Sequence, residues 1–175
     1  MRRFRFMKGS VLTIALVAMI SVTASAQAVK RPSFKAYPAN IEKTKAKAIN
    51  FRQSPDARSF RTRLTQAIRG GVNFAGHYIV AGWGCGTGCI SGAMIDARNG
   101  YVYWPEQLNA LGVGDTENGY VDEPVAYRKN SRLLVITGSP GKANDDDPDL
   151  PSGEYYYVWK ANKLRLIKYI AKPTN

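Results

Sequence analysis

The chain is poor in three residue types, and each shortage closes off a chemistry: it has one histidine, two cysteines, and 13 acidic side chains against 25 lysines and arginines. Two cysteines and the single His77 fall short of the four ligands of a structural zinc site. Cys85 and Cys89 stand four apart, so the Cys-x-x-Cys spacing of a dithiol redox centre is absent. The acids that do cluster, Asp145, Asp146 and Asp147, are consecutive and lack the alternation with which a calcium loop aims its ligands inward. No metal and no cofactor is therefore expected. Long apolar runs are also scarce. The uncharged stretch from Val11 to Val22 is shorter than the roughly 20 residues that cross a bilayer as a helix.

That stretch has a different reading. Arg2, Arg3, Arg5 and Lys8 precede it and Ala24-Ser25-Ala26 follows it, the positive, apolar and small-x-small order of a secretory signal peptide over residues 1–26. Cleavage is expected after Ala26, with Ala26-Gln27-Ala28 as a competing site and an uncleaved anchor as the alternative. With no cysteine at the junction, the chain is not read as a lipoprotein. Residues 27–175 then make a periplasmic or secreted protein with room for one domain and not two. Its charge is uneven: residues 27–100 carry 12 basic and 3 acidic side chains, and residues 101–175 carry 9 and 10. A basic half outside the cytoplasm attracts phosphate-bearing polymers, anionic membrane surfaces or glycans. Nucleic acid is not expected as the partner of an exported chain.

Along the mature chain, residues 27–53 read as a mostly irregular basic arm, since Pro32 and Pro38 oppose a long helix. Residues 54–175 read as a single α+β domain, with one N-terminal amphipathic helix packed on an antiparallel β meander of about six strands. The helix is placed at 55–69. Ser54 is its expected N-cap, Pro55 and Asp56 suit its first turn, Gly70-Gly71 stops it, and Phe60, Leu64 and Ile68 form its apolar stripe. Beyond Gly71 the period becomes that of strands. His77 to Trp83 and Cys89 to Ile95 flank a glycine-rich loop, and Asn99-Gly100 predicts a type I′ turn into Tyr101 to Trp104. Val125 to Tyr127 is expected to pair with Leu133 to Gly138, and Tyr155 to Lys160 with Leu164 to Tyr169. Alternation puts Tyr155, Tyr157 and Trp159 on one face and Tyr156 on the other, one row being core.

The most distinctive segment is Trp83-Gly84-Cys85-Gly86-Thr87-Gly88-Cys89. In an exported chain Cys85 and Cys89 are expected to form a disulfide that closes a tight loop. Its glycines allow backbone N–H groups to converge on an anion. Trp83, Gly84, Gly86, Thr87 and Gly88 are thus candidate binding residues, with a stapled turn that binds nothing as the plainer alternative. Taken with Asn73-Phe74-Ala75-Gly76-His77-Tyr78 and Ser91-Gly92-Ala93-Met94-Ile95-Asp96, the segment resembles an uncharacterised family of small secreted bacterial proteins. That resemblance implies export and no particular activity.

Two further resemblances supply alternatives. Gly88-Cys89-Ile90-Ser91 resembles the Cys-Ile-Arg segment of L,D-transpeptidases, which implies a Cys89 thiolate activated by His77. Thr87 stands where that motif has a second His, however, and Ser91 where it has Arg; a structural role for the His77 imidazole is the competing reading. Ser152-Gly153-Glu154-Tyr155-Tyr156 resembles the Ser-Gly-x-x-Tyr loop of periplasmic lysozyme inhibitors. It implies that Ser152, Gly153 and Tyr156, beside the acidic Asp145, Asp146 and Asp147, enter a hydrolase cleft. The reading carried forward is an exported, non-enzymatic protein that binds an envelope polymer or protein through its disulfide loop and acidic loop. A cell-wall hydrolase inhibitor and a Cys-dependent peptidoglycan transpeptidase or hydrolase are the alternatives.

Overall fold

The computed structural model describes residues 29–113, 123–141 and 150–172. The chain divides into two compact units, residues 1–30 and 31–175, and every element below belongs to the second. The expected signal peptide and Asp145, Asp146 and Asp147 lie outside the described residues. Among the described residues no helix is long and apolar enough to cross a membrane.

The architecture is α+β: the described residues form one α-helix, α1 (Arg61–Gly70), and eight strands in two antiparallel sheets. In the first sheet β1 (Tyr78–Gly86) pairs with β2 (Cys89–Asp96). The opposite edge of β2 is shared by two short strands, β3 (Val102–Tyr103) at one end and β4 (Leu111–Gly112) at the other. The second sheet runs in the order β5 (Val125–Tyr127), β6 (Leu133–Gly138), β7 (Gly153–Lys160), β8 (Lys163–Ala171). The sheets meet where Gly112 and Ser139 exchange backbone hydrogen bonds of 2.9 and 3.0 Å. Gly138 is required there, because a Cβ would collide with the Gly112 carbonyl.

Three apolar layers follow from the strand period. Tyr78, Val80 and Met94 of the first sheet pack with Leu134, Ile136, Tyr155, Tyr157 and Trp159 of the second to form the main core. The opposite face of the first sheet, with Ile79, Ala81, Ala93 and Ile95, is covered by Leu64 of α1 and by Ile49. The outer face of the second sheet, with Leu133, Tyr156 and Val158, is covered by Phe34 and Tyr37. Both aromatic rows of β7 are therefore buried, since β7 is central in its sheet and flanked by protein on each face. The segment ahead of α1 is held down by Ser131, whose buried hydroxyl donates to the carbonyls of Phe34 and Tyr37 at 2.9 and 3.0 Å and accepts from Leu133 N–H at 3.1 Å.

Three expectations change on inspection. The single meander of about six strands is replaced by two sheets, because the chain between β3 and β5 turns back to pair with the far end of β2 as β4. The helix placed at 55–69 is α-helical only from Arg61, and Pro55–Phe60 is a 3-10 turn. Ser54 caps nothing. Its buried hydroxyl accepts instead from Val102 N–H at 3.0 Å, tying the start of the helix to β3. The turn at Asn99-Gly100 is also not type I′: Gly100 has φ 73° whereas Asn99 is not left-handed, and the Asn99 side chain accepts from Tyr101 N–H at 2.8 Å. Successive left-handed residues occur instead at Ala161 and Asn162, with φ 51° and 59°, in the tight turn between β7 and β8.

Candidate functional site

In β1 the hydrogen-bonding direction alternates, and the bonds of Tyr78 and Val80 fix its phase. Tyr78 bonds back to Phe74 in both directions, and Val80 bonds both ways to the Asn73 side chain: Val80 N–H to Oδ1 at 2.8 Å, and Nδ2 to the Val80 carbonyl at 3.2 Å. Even-numbered residues of β1 thus direct their backbone groups away from β2, and odd-numbered ones toward it. Asn73 substitutes for a neighbouring strand at Val80. Beyond it, Gly82 and Gly84 present outward N–H and C=O groups with no partner among the described residues.

The same even-numbered positions aim their side chains at the main core, and here the sequence places glycines. Gly82 pairs with Gly92 across the hairpin, so this strip has no side chains where a strand would ordinarily supply them. The result is a groove of about 630 Å³. Ile90, Gly92, Leu108 and Leu111 line its floor, residues 80–84 one wall, and residues 123–128 of the β5 segment the other. The volume falls within the range of about 300–1,000 Å³ common to ligand sites.

β5 also offers a free edge to this groove. Thr137 N–H donates to the Pro124 carbonyl at 2.8 Å, so Pro124 and Ala126 turn toward β6, and Val125 and Tyr127 turn their backbone groups outward. Burial raises the Tyr127 phenol above its ordinary value, with Glu123 adding to the effect. Glu123 and Arg128 stand at the two ends of this wall, and neither has an ion-pair partner among the described residues. The Arg128 guanidinium sits 4.8 Å from the centre of the Phe34 ring.

The groove opens beside the hairpin tip. Cys85 and Cys89 are joined as a disulfide with a Cα–Cα distance of 5.2 Å. Gly86, Thr87 and Cys85 are exposed, Gly86 and Gly88 have positive φ, and the Gly88 carbonyl accepts from Val113 N–H at 2.8 Å. Gly84 is in the groove wall, whereas the Trp83 ring lies on the opposite face, 4.9 Å from Phe60 and 6.2 Å from Trp104.

His77 lies at the other end of the hairpin from Cys89. It precedes Tyr78, which pairs with Asp96, and Cys89 opens the strand that Asp96 ends, a span of roughly 24 Å at strand rise. The two are not brought together, and both sulfurs are engaged in the disulfide. His77 Nδ1 is 2.9 Å from Glu42 Oε1, its Nε2 is buried without a hydrogen-bond partner, and its ring stacks 4.2 Å from that of Tyr78. Nearby, Arg98 grips the buried Asp96 with Nε at 3.0 Å and Nη2 at 2.8 Å. Burial pushes the Asp96 carboxyl up, but the Arg98 guanidinium and amide outweigh it and hold the group below its ordinary value.

Ser152 is exposed and Gly153 opens β7, but Tyr156 is buried beneath Phe34 and Tyr37. Its hydroxyl donates to Glu154 Oε2 at 2.7 Å, and Arg31 Nε donates to the same oxygen at 2.7 Å. Arg31 holds Glu154 below the usual carboxylate value, while burial and that carboxylate push the Tyr156 phenol up to about 12. Sequence reasoning picked out Trp83, Gly84 and the tip but missed Asn73, Gly82, Gly92, Glu123 and Arg128. The available signal was glycine at two strand positions that face each other across a hairpin. Comparison with protein-family models, with curated proteins and with solved structures returns no match.

Proposed function

We propose that this is an exported binding protein of the cell envelope that catalyses no reaction and holds its ligand in the groove between β1 and β5. The observation that carries the reading is the groove itself: about 630 Å³ of space floored by apolar side chains, opened by glycines and walled by two strand edges that have no partner strand among the described residues. The Cys85–Cys89 disulfide beside it suits an oxidising compartment, as does the positive, apolar, small-x-small order of residues 1–26. The disulfide and the distance to His77 leave no thiolate–imidazole pair for transpeptidation, and the burial of Tyr156 removes it from a role in a partner's cleft.

Isotope-labelled protein beginning at Gln27 and titrated with a soluble cell-wall digest tests this reading. Amide shifts are expected to concentrate at residues 80–84, 90–92 and 123–128. They should vanish in Gly82→Val, whose new Cβ meets only Ile90 Cγ2, at 4.0 Å, with the unchanged amide spectrum of residues outside the groove showing that the fold is kept. Shifts elsewhere, or none at a large excess of digest, overturn the reading.

A further inference from the structure

The geometry points to the class of ligand: a short peptide with both termini free, bound in extended form as an added strand between β1 and β5. The inference rests on the groove being the binding site. Four observations support it, and all concern backbone or charge.

First, the two long walls are strand edges without a partner strand among the described residues. Gly82 and Gly84 direct N–H and C=O outward from β1, and Val125 and Tyr127 do the same from β5. Such edges recruit a chain that can complete the ladder. A glycan or a lipid offers no matching series of donors and acceptors at strand spacing. Second, the Asn73 amide already occupies the edge of β1 at Val80 with one donor and one acceptor. It ends the protein's own pairing and leaves the ladder open from Gly82 onward. Third, Gly82 and Gly84 remove the side chains that would block an incoming strand; a Cβ at either would meet nothing closer than 4.0 Å, and φ at neither is left-handed, so neither internal packing nor turn geometry explains the choice of glycine.

Fourth, the charges mark the ends. Glu123 and Arg128 are five positions apart, flanking β5 at the two ends of the segment that lines the groove, at most about 17 Å at strand rise. That is the length of a peptide of about five or six residues. Its α-ammonium would lie by Glu123 and its carboxylate by Arg128, each group matching an opposite charge that has no ion-pair partner among the described residues. The apolar floor of Ile90, Leu108 and Leu111 takes the side chains that alternate toward it. Recognition then depends mainly on backbone and termini, so tolerance of side-chain sequence is expected.

The test uses protein beginning at Gln27 and a pool of hexapeptides randomised at every position, with binding read from amide shifts of Gly82 and Gly84 and from titrated affinity. The free-terminus pool should bind in the groove. N-methylation of alternate peptide bonds should weaken it at least about tenfold, since it removes the donors that meet the strand edges. N-acetylation or C-amidation should each weaken it about three- to fivefold, as expected for one exposed charge pair. Arg128→Gln should show the same loss for the free pool and no further loss on C-amidation, and Glu123→Gln likewise with N-acetylation. This is a coupling that a merely structural role would not produce.

Unchanged affinity on N-methylation overturns the strand-addition proposal. Groove shifts produced by peptide-free cell-wall glycan, with none from the peptide pool, also overturn it and leave the binding reading intact. Silence of the groove toward both probes removes the two together.

Discussion

Asp96 is 2% exposed and is held by three hydrogen bonds from Arg98, two from the guanidinium and one from the backbone. Its native carboxyl titrates below its ordinary value of 3.8, so the unfolded chain binds the proton more readily than the folded one. The stabilisation is complete above the unfolded value and is lost as pH falls through the lower native one. Asp96→Asn should therefore cost about 1.5–3 kcal/mol near neutrality and flatten the acid limb of stability below about pH 4. Urea unfolding at pH 3 to 7 checks both effects. Ala161 carries the opposite signature, a left-handed φ of 51° in a residue with a Cβ. Ala161→Gly should raise stability by up to about 1 kcal/mol. Ser131→Ala removes one hydrogen bond from each of three backbone groups at a fully buried site, of which the Phe34 and Tyr37 carbonyls keep a backbone donor, and should lower it by about 1–3 kcal/mol. Roles of this kind were poorly legible in the sequence. Ser54 and Asn99-Gly100 match the local patterns of a cap and a type I′ turn, yet contacts distant in sequence assign them other work: Val102 takes the Ser54 hydroxyl, and the Ala48 carbonyl packs against Gly100 where any Cβ would collide.

Long hairpins with alternating faces were legible as elements, because their period and turn residues are local properties. β5 with β6 and β7 with β8 lie where periodicity puts them, whereas β1 runs on to Gly86 through glycines that read as part of the loop, so the first hairpin is longer than expected. The two-residue strands β3 and β4 are too short to show a period, and β4 is what separates the sheets. The two buried faces of β7 were half legible: alternation sorted its aromatics into two rows, but only the packing of Phe34 and Tyr37 buries the second. Leu64 is the fully buried anchor of α1, and Leu64→Ala should cost about 2–5 kcal/mol. The hairpin tip behaves differently. Its disulfide closes a very short loop, so replacing Cys85 and Cys89 together by serine should lower global stability by only about 2 kcal/mol. Thermal unfolding of the two variants in parallel shows whether the helix contributes more than the staple.

For the whole molecule, the arrangement of two sheets that meet at Gly112 and Ser139, with β1 and β5 left unpaired across a groove, was not legible in the sequence. Glycine at Gly82, Gly84 and Gly92 signalled a special role without saying which: Gly92 gives way to the Ala81 carbonyl and Leu108, whereas Gly82 and Gly84 leave space open. Export has its own readout at this scale. Protein recovered from an exporting host should have an intact mass beginning at Gln27, with both cysteines refractory to alkylation until reduced. The groove's character is open to a more direct measurement, residue-resolved amide hydrogen exchange of the free protein. The outward amides of Gly82, Gly84, Val125 and Tyr127 should exchange rapidly while those of Ala81, Trp83 and Ala126, which face partner strands, stay protected. Equal protection of the two sets would mean that these edges are already paired in the free protein, and the account of an open groove awaiting an added strand would be wrong.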